Sequence, residues 1–204
     1  MGDKGEVDEN NQQLRRACHQ GNIEEVKELL KLTNIDINQY GSGSFMGNYS
    51  PLMLVCTFVP NIEILNLLLS DRRIDVNSVD IEERNSTPFL RSCSNQNTKI
   101  MKVLLNDPRV NVNIADTDGK TPLMIALENE STLLTELILS SPKLNIQENI
   151  LDFAQGPHET LIQKYLKHPN RVASELRKKY GLCYGEFFNN SFPFILFCLR
   201  LQFS

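Results

Sequence analysis

The sequence predicts an all-α solenoid of about five stacked helix–turn–helix units with hairpin-like loops. Three observations predict it. The pentads Leu14-Arg-Arg-Ala-Cys18, Leu52-Met-Leu-Val-Cys56, Phe89-Leu-Arg-Ser-Cys93 and Leu123-Met-Ile-Ala-Leu127 align, their first residues 38, 37 and 34 positions apart. A helical stretch follows each pentad and ends in a leucine-type pair: Leu29-Leu30, Leu68-Leu69, Leu104-Leu105 and Ile138-Leu139. Beyond each pair comes a third marker: Asp36-Ile-Asn38, Asp75-Val-Asn77, Asn111-Val-Asn113 and Asn145-Ile-Gln147. Three markers that keep one order at nearly one period identify a repeat array.

Each element has a local reason. Ser50-Pro51, Thr87-Pro88 and Thr121-Pro122 precede the last three pentads. A hydroxyl there caps orphan amides, and Pro fits the first helical position. The first helix of a unit is short and buries its Leu/Phe and Ala/Cys positions. The second carries one apolar stripe, as in Ile23, Val26, Leu29 and Leu30. Pro108 and Pro142 stop second helices, because Pro cannot donate the next backbone hydrogen bond. No helix pair has enough apolar surface to stand alone, so stability must come from stacking.

The expected layout is an acidic flexible tail over 1–10, an array over 11–182 and a Phe-rich tail over 183–204. The units are 11–47, 48–84, 85–117, 118–148 and a degenerate fifth, 149–182. Gln12, Gln13, Arg15 and Arg16 are read as a cap against water. The Gly- and Ser-rich stretch 39–48 is read as a lengthened loop tip projecting from the array, and 80–85 as a smaller insertion.

The unit resembles an ankyrin repeat, a family with about 33 residues per unit, a T-P-L-H-x-A opening, two helices and a turn. The nearest copy is Asp116-Thr-Asp-Gly-Lys-Thr-Pro-Leu-Met-Ile-Ala126, and the resemblance runs over roughly residues 11–182. Two departures stand out. The family's His is replaced by Met53, Leu90 and Met124, which removes its link to the Thr hydroxyl. The family's Gly after the second helix is also replaced, in the longer stretches Asp71-Arg-Arg-Ile74, Asp107-Pro-Arg-Val110 and Ser141-Pro-Lys-Leu144.

The resemblance implies a non-enzymatic protein–protein interaction module, an adaptor or scaffold without a cofactor. It would grip another protein through hairpin tips and the first-helix concave face. Carried over from the fourth unit, the contact positions are Thr117, Asp118 and Lys120 at the tip, with Glu128 and Asn129 on the first helix. The matching helix positions are Ser94 and Asn95, Thr57 and Phe58, and His19 and Gln20. Glu83 and Arg84 are the nearest tip equivalents in an earlier unit. Phe58 is either an anchor for a partner or a side chain buried in the stack. The alternative function is a regulatory or substrate-docking fragment of a larger enzyme, such as a ubiquitin ligase or kinase.

The rest of the composition narrows the chemistry. A net charge of −4 argues against a general nucleic-acid binder. The start of the chain lacks the basic and apolar segments of a secretory signal, and the longest apolar run, 192–199, is far below the ~20 residues of a membrane span. The expectation is a cytoplasmic or nuclear protein. Cys18, Cys56 and Cys93 share one repeat position and are read as core residues, with no C-x-x-C pair to suggest a metal site. Cys18-His19 cannot act as nucleophile and base, since adjacent helix residues point apart. Asp116-Thr-Asp-Gly119 opens like a calcium loop but runs into Thr-Pro-Leu, so it is read as a turn. Lys164, Lys167, Arg171, Arg177, Lys178 and Lys179 form either a solvated closing face or a patch for an acidic partner. The Phe-rich tail is read as a terminus outside the evolved fold. Membrane-surface contact by residues 184–204 is the alternative.

Overall fold

The computed structural model describes residues 4–41, 47–80 and 84–182. Ten α-helices and no strand occur among them. Four helix pairs come first: α1 (Lys4–Gln20) with α2 (Ile23–Leu30), α3 (Pro51–Thr57) with α4 (Ile62–Ser70), α5 (Pro88–Ser94) with α6 (Thr98–Asn106), and α7 (Pro122–Glu128) with α8 (Thr132–Leu139). A 3-10 turn (Glu148–Phe153), α9 (Pro157–Lys167) and α10 (Pro169–Tyr180) follow. The first helices form one row, α1 on α3 on α5 on α7, and the 3-10 turn continues it. The second helices form the other, α2 on α4 on α6 on α8, with α9 and α10 packed against α8. One apolar core runs through both rows from Leu14 to Leu182. Glu83, the middle of the 39–48 insertion and the Phe-rich tail lie outside the described residues.

Hydroxyls and amides start the helices as their chemistry dictates. Ser50, Thr87 and Thr121 accept from the amides of Met53, Leu90 and Met124 at 3.4, 3.1 and 3.3 Å. Asn22, Asn61, Asn97 and Ser131 cap the second helices in the same way. Met53, Leu90 and Met124, which replace the polar His of the repeat pattern, are buried. The lost polar link is thus exchanged for apolar packing.

The Asp/Asn-x-Asn marker is a clasp between units. Asn77 Nδ2 donates to the Arg109 carbonyl at 2.9 Å, while its Oδ1 accepts from the Asn111 amide at 2.8 Å. Asn38 does the same to Arg73 and Asp75, and Asn113 to Lys143 and Asn145. A second ladder runs beside it. Arg73 donates to the carbonyls of Leu30 and Leu32 at the end of α2, and Arg109 to Leu69 at the end of α4. Lys143 donates to the Pro108 carbonyl. Asp71 and Asp107 aim the two guanidinium groups, each through an ion pair of 2.6 Å. The hydrogen bond from Arg73 holds the Asp71 carboxyl below its ordinary range. These cations supply the charge that helix C-termini favour.

Asn77→Ala removes both clasp bonds between the second and third units. At about 1 kcal/mol net per bond, it lowers stability by about 1–2 kcal/mol. Urea unfolding reads this as a lower midpoint. A loss below roughly 0.3 kcal/mol would show that the clasp contributes nothing.

Three expectations are corrected. Residues 4–10 are not a free tail: helix α1 starts at Lys4 and runs unbroken to Gln20. The docked part, with Leu14, Ala17 and Cys18 buried, supplies the helix nucleus, and extending a formed helix needs only one residue at a time. Arg15 is not part of a solvated cap, because it is 5% exposed beneath the loop that ends at Tyr49. The fifth unit opens on a 3-10 turn, and two α-helices rather than one follow it.

Candidate functional site

The C-terminal ends of the first helices lie side by side, because α1, α3, α5 and α7 stack in order. His19 is half-buried and Gln20 exposed at the end of α1; Thr57 and Phe58 hold the same relation at the end of α3. Ser94, Asn95, Glu128 and Asn129 are all exposed. Neighbours tie the row together. Asn95 Nδ2 donates to the Thr57 carbonyl at 3.2 Å, and Ser94 Oγ donates within its own helix to the Leu90 carbonyl. After these ends the chain turns sharply through Gly21, Gln96 and Glu130, each at positive φ.

Phe58 is 49% exposed, so it is neither free in water nor buried in the stack. Its ring meets His19 edge-on, centroids 5.9 Å apart at 74°, and Tyr49 at 5.2 Å and 86°. Such edge-to-face pairs are favourable beyond the area they bury. Tyr49 is itself covered by Arg91, whose guanidinium carbon lies 5.5 Å from the ring centroid. Arg91 in turn donates through Nε and Nη2 to Asp80 Oδ2 at 3.0 and 2.8 Å. Asp80 is 2% exposed and closes its loop by donating its amide to the Ser86 carbonyl. Tyr49, Asp80 and Arg91 were missed from sequence. The available signal was Arg91 itself, a charged residue inside a pentad that is otherwise small or apolar.

The loop tips add the remaining candidates. Thr117, Asp118 and Arg84 are exposed. Arg84 Nη1 pairs with Asp118 Oδ2 at 3.3 Å, and the Thr117 amide donates to the Arg84 carbonyl at 2.9 Å, joining two successive tips. Lys120 reaches from the tip along α7 to Glu128 Oε2 at 2.7 Å. That contact holds the ammonium above its usual range. Tip and first-helix residues of the fourth unit are thereby brought together. Asp116 Oδ1 accepts from the amides of Asp118 and Lys120, at 3.0 and 2.9 Å. Its carboxylate thus builds the turn, and Gly119, at φ +77°, supplies the conformation that the turn needs.

The geometry offers little to covalent chemistry. Cys18, Cys56 and Cys93 are buried free thiols. Burial pushes Cys18 up to about 12 and raises the other two as well, which opposes the thiolate a nucleophile needs. Among the described residues no group of three His, Cys, Asp or Glu side chains is placed to hold a metal ion. Nor is any helix among them long and apolar enough to cross a membrane. An open groove of about 580 Å³ lies between α2 and α4, with Leu30 and Leu67 beside Lys27 and Lys31. Glu24, Glu63 and Glu28 already pair with those two lysines. In the C-terminal basic cluster, Lys164 and Arg171 share Glu175, and Lys179 pairs with Glu136. That cluster lies on α9 and α10, the last two described helices.

Compared with known proteins, residues 52–150 match the family model for ankyrin repeats, in three copies. The match begins inside α3 and ends at the 3-10 turn, leaving α1, α2, α9 and α10 outside it. No curated protein matches the chain.

Proposed function

Since this chain belongs to the ankyrin-repeat family through residues 52–150, and such repeats generally bind other proteins, we propose that it is a non-enzymatic adaptor that grips one partner protein across its first-helix ends and loop tips. The observation that carries this reading is the row of exposed and half-buried side chains on four successive units, from His19 and Gln20 to Glu128 and Asn129. The row is continuous with tips that are already cross-linked by Arg84 and Asp118. A surface of that kind has rigid backbone beneath it, so a partner need not order it on binding. The buried thiols and the paired surface charges favour recognition over reaction.

The test is affinity capture with the natural chain against the double variant Phe58→Ala, Lys120→Glu. Phe58 offers the largest exposed apolar surface of the row, and charge reversal at Lys120 sets two carboxylates against each other at Glu128. Capture of the partner falls at least tenfold, about 1.4 kcal/mol. If every captured protein survives unchanged, this surface is not the one used.

A further inference from the structure

The ends of the candidate surface differ in charge bookkeeping. From the end of the second unit onward its cations are matched by carboxylates: Arg91 with Asp80, Arg84 with Asp118, Lys120 with Glu128. The row from α1 to α3 is not balanced in this way. Arg16 is exposed on α1, one helical turn before His19, and no hydrogen bond or ion pair engages it among the described residues. Helix α3, Pro51–Thr57, carries no charged residue at all. The nearest acids on α1, Asp8 and Glu9, stand about two turns away, on the order of 10 Å along the axis. The unmatched cation therefore lies within a turn of the imidazole that abuts the half-exposed Phe58 ring.

Resting on the protein-binding reading above, we propose that the first two units take an acidic–apolar peptide segment of the partner. A carboxylate of that segment meets Arg16, and its apolar neighbour packs on the exposed face of Phe58 beside His19. The physical division of labour is ordinary. A rim charge chooses the partner and speeds its approach, while the aromatic ring supplies most of the hold. Tyr49 and Arg91 act beneath as the floor that keeps the Phe58 ring in place.

The experiment pans a library of random short peptides against the full chain, then measures the enriched peptides with Arg16→Glu, Phe58→Ala, Phe58→Leu and Lys120→Glu. Circular dichroism checks that each variant is folded. Arg16 is exposed, so its reversal leaves the fold intact. The expected result is enrichment of peptides with Asp or Glu next to an apolar residue. Affinity then falls about tenfold with Arg16→Glu and with Phe58→Ala, less with Phe58→Leu, and weakens in high salt. Enriched peptides without acids, or peptides indifferent to Arg16→Glu, overturn the proposal. Peptides lost only with Lys120→Glu overturn it too, yet leave the broader protein-binding reading standing. If nothing is enriched, the proposal fails and affinity capture decides the broader reading alone. A dimer of the chain that Phe58→Ala dissolves would assign the face to a second copy and also overturn it.

Discussion

Asp80→Ala lowers the stability of the array by about 3 kcal/mol, the size expected when one partner of a buried ion pair is removed. Asp80 is 2% exposed, and one of its carboxylate oxygens accepts from both Nε and Nη2 of Arg91. Without it, the guanidinium stays covered against the Tyr49 ring and lacks its buried carboxylate. Arg91 retains 19% exposure on its side chain, so water relieves part of the cost and keeps the effect from the top of the usual range. Asp80→Asn, which keeps the shape and one acceptor, costs about half as much. Placing Arg91→Met on top of Asp80→Ala recovers at least about 1 kcal/mol, because the charge that lost its buried carboxylate is gone. Urea unfolding of the two single variants and the double variant supplies the cycle. Strict additivity, or a single-variant loss below about 1 kcal/mol, would mean the pair is a surface ornament.

The parts of this fold legible in sequence were those set by local periodicity. Hydroxyl-proline starts, leucine pairs and a recurring Cys position each report on their own turn of helix, and stacking follows from the lack of apolar surface in any single unit. What stayed hidden depends on residues meeting across units. Arg15 and Arg16 are adjacent and chemically identical, yet one is buried and one exposed. Only a loop that returns 32 to 34 residues later decides between them. The Asp-x-Arg pairs at 71 and 107 were visible as longer stretches, but their targets are carbonyls of the preceding unit. Residues 4–10 lack an apolar stripe, so sequence offered no reason to extend α1 through them.

The candidate surface was legible in a similar measure. Alignment to the fourth unit located the helix ends, and these are exposed or half-buried as a row. The same alignment does not single out Tyr49, which follows the lengthened stretch 39–48. Tyr49 nevertheless sets the attitude of Phe58 and receives Arg91 on its ring. The floor of the surface therefore came from the irregular part of the chain, while the row came from the regular part.

That irregular part can be loosened on its own, which makes the second large effect. Arg15 donates from Nε to the Tyr49 carbonyl at 3.0 Å and from Nη2 to the Gly47 carbonyl at 2.9 Å. Burial lowers its pKa from the ordinary guanidinium value, but a guanidinium remains a cation at any ordinary pH. Arg15→Met keeps the bulk of the stem and removes the donors, leaving two carbonyls without them, at a cost of about 2–3 kcal/mol. Gly41 offers an independent route to the same damage. A Cβ there would stand 2.0 Å from Arg15 Nη2 and 2.2 Å from Cζ, so Gly41→Ala must drive the guanidinium off its carbonyls. Each single variant should therefore speed amide exchange around Tyr49 and lower the unfolding midpoint by a similar amount. Because both break one arrangement, Gly41→Ala adds little once Arg15 is already Met, a coupling of at least about 1 kcal/mol. Equal and additive losses would instead mean that Gly41 and Arg15 act separately, and that the close approach does not hold the insertion against α1.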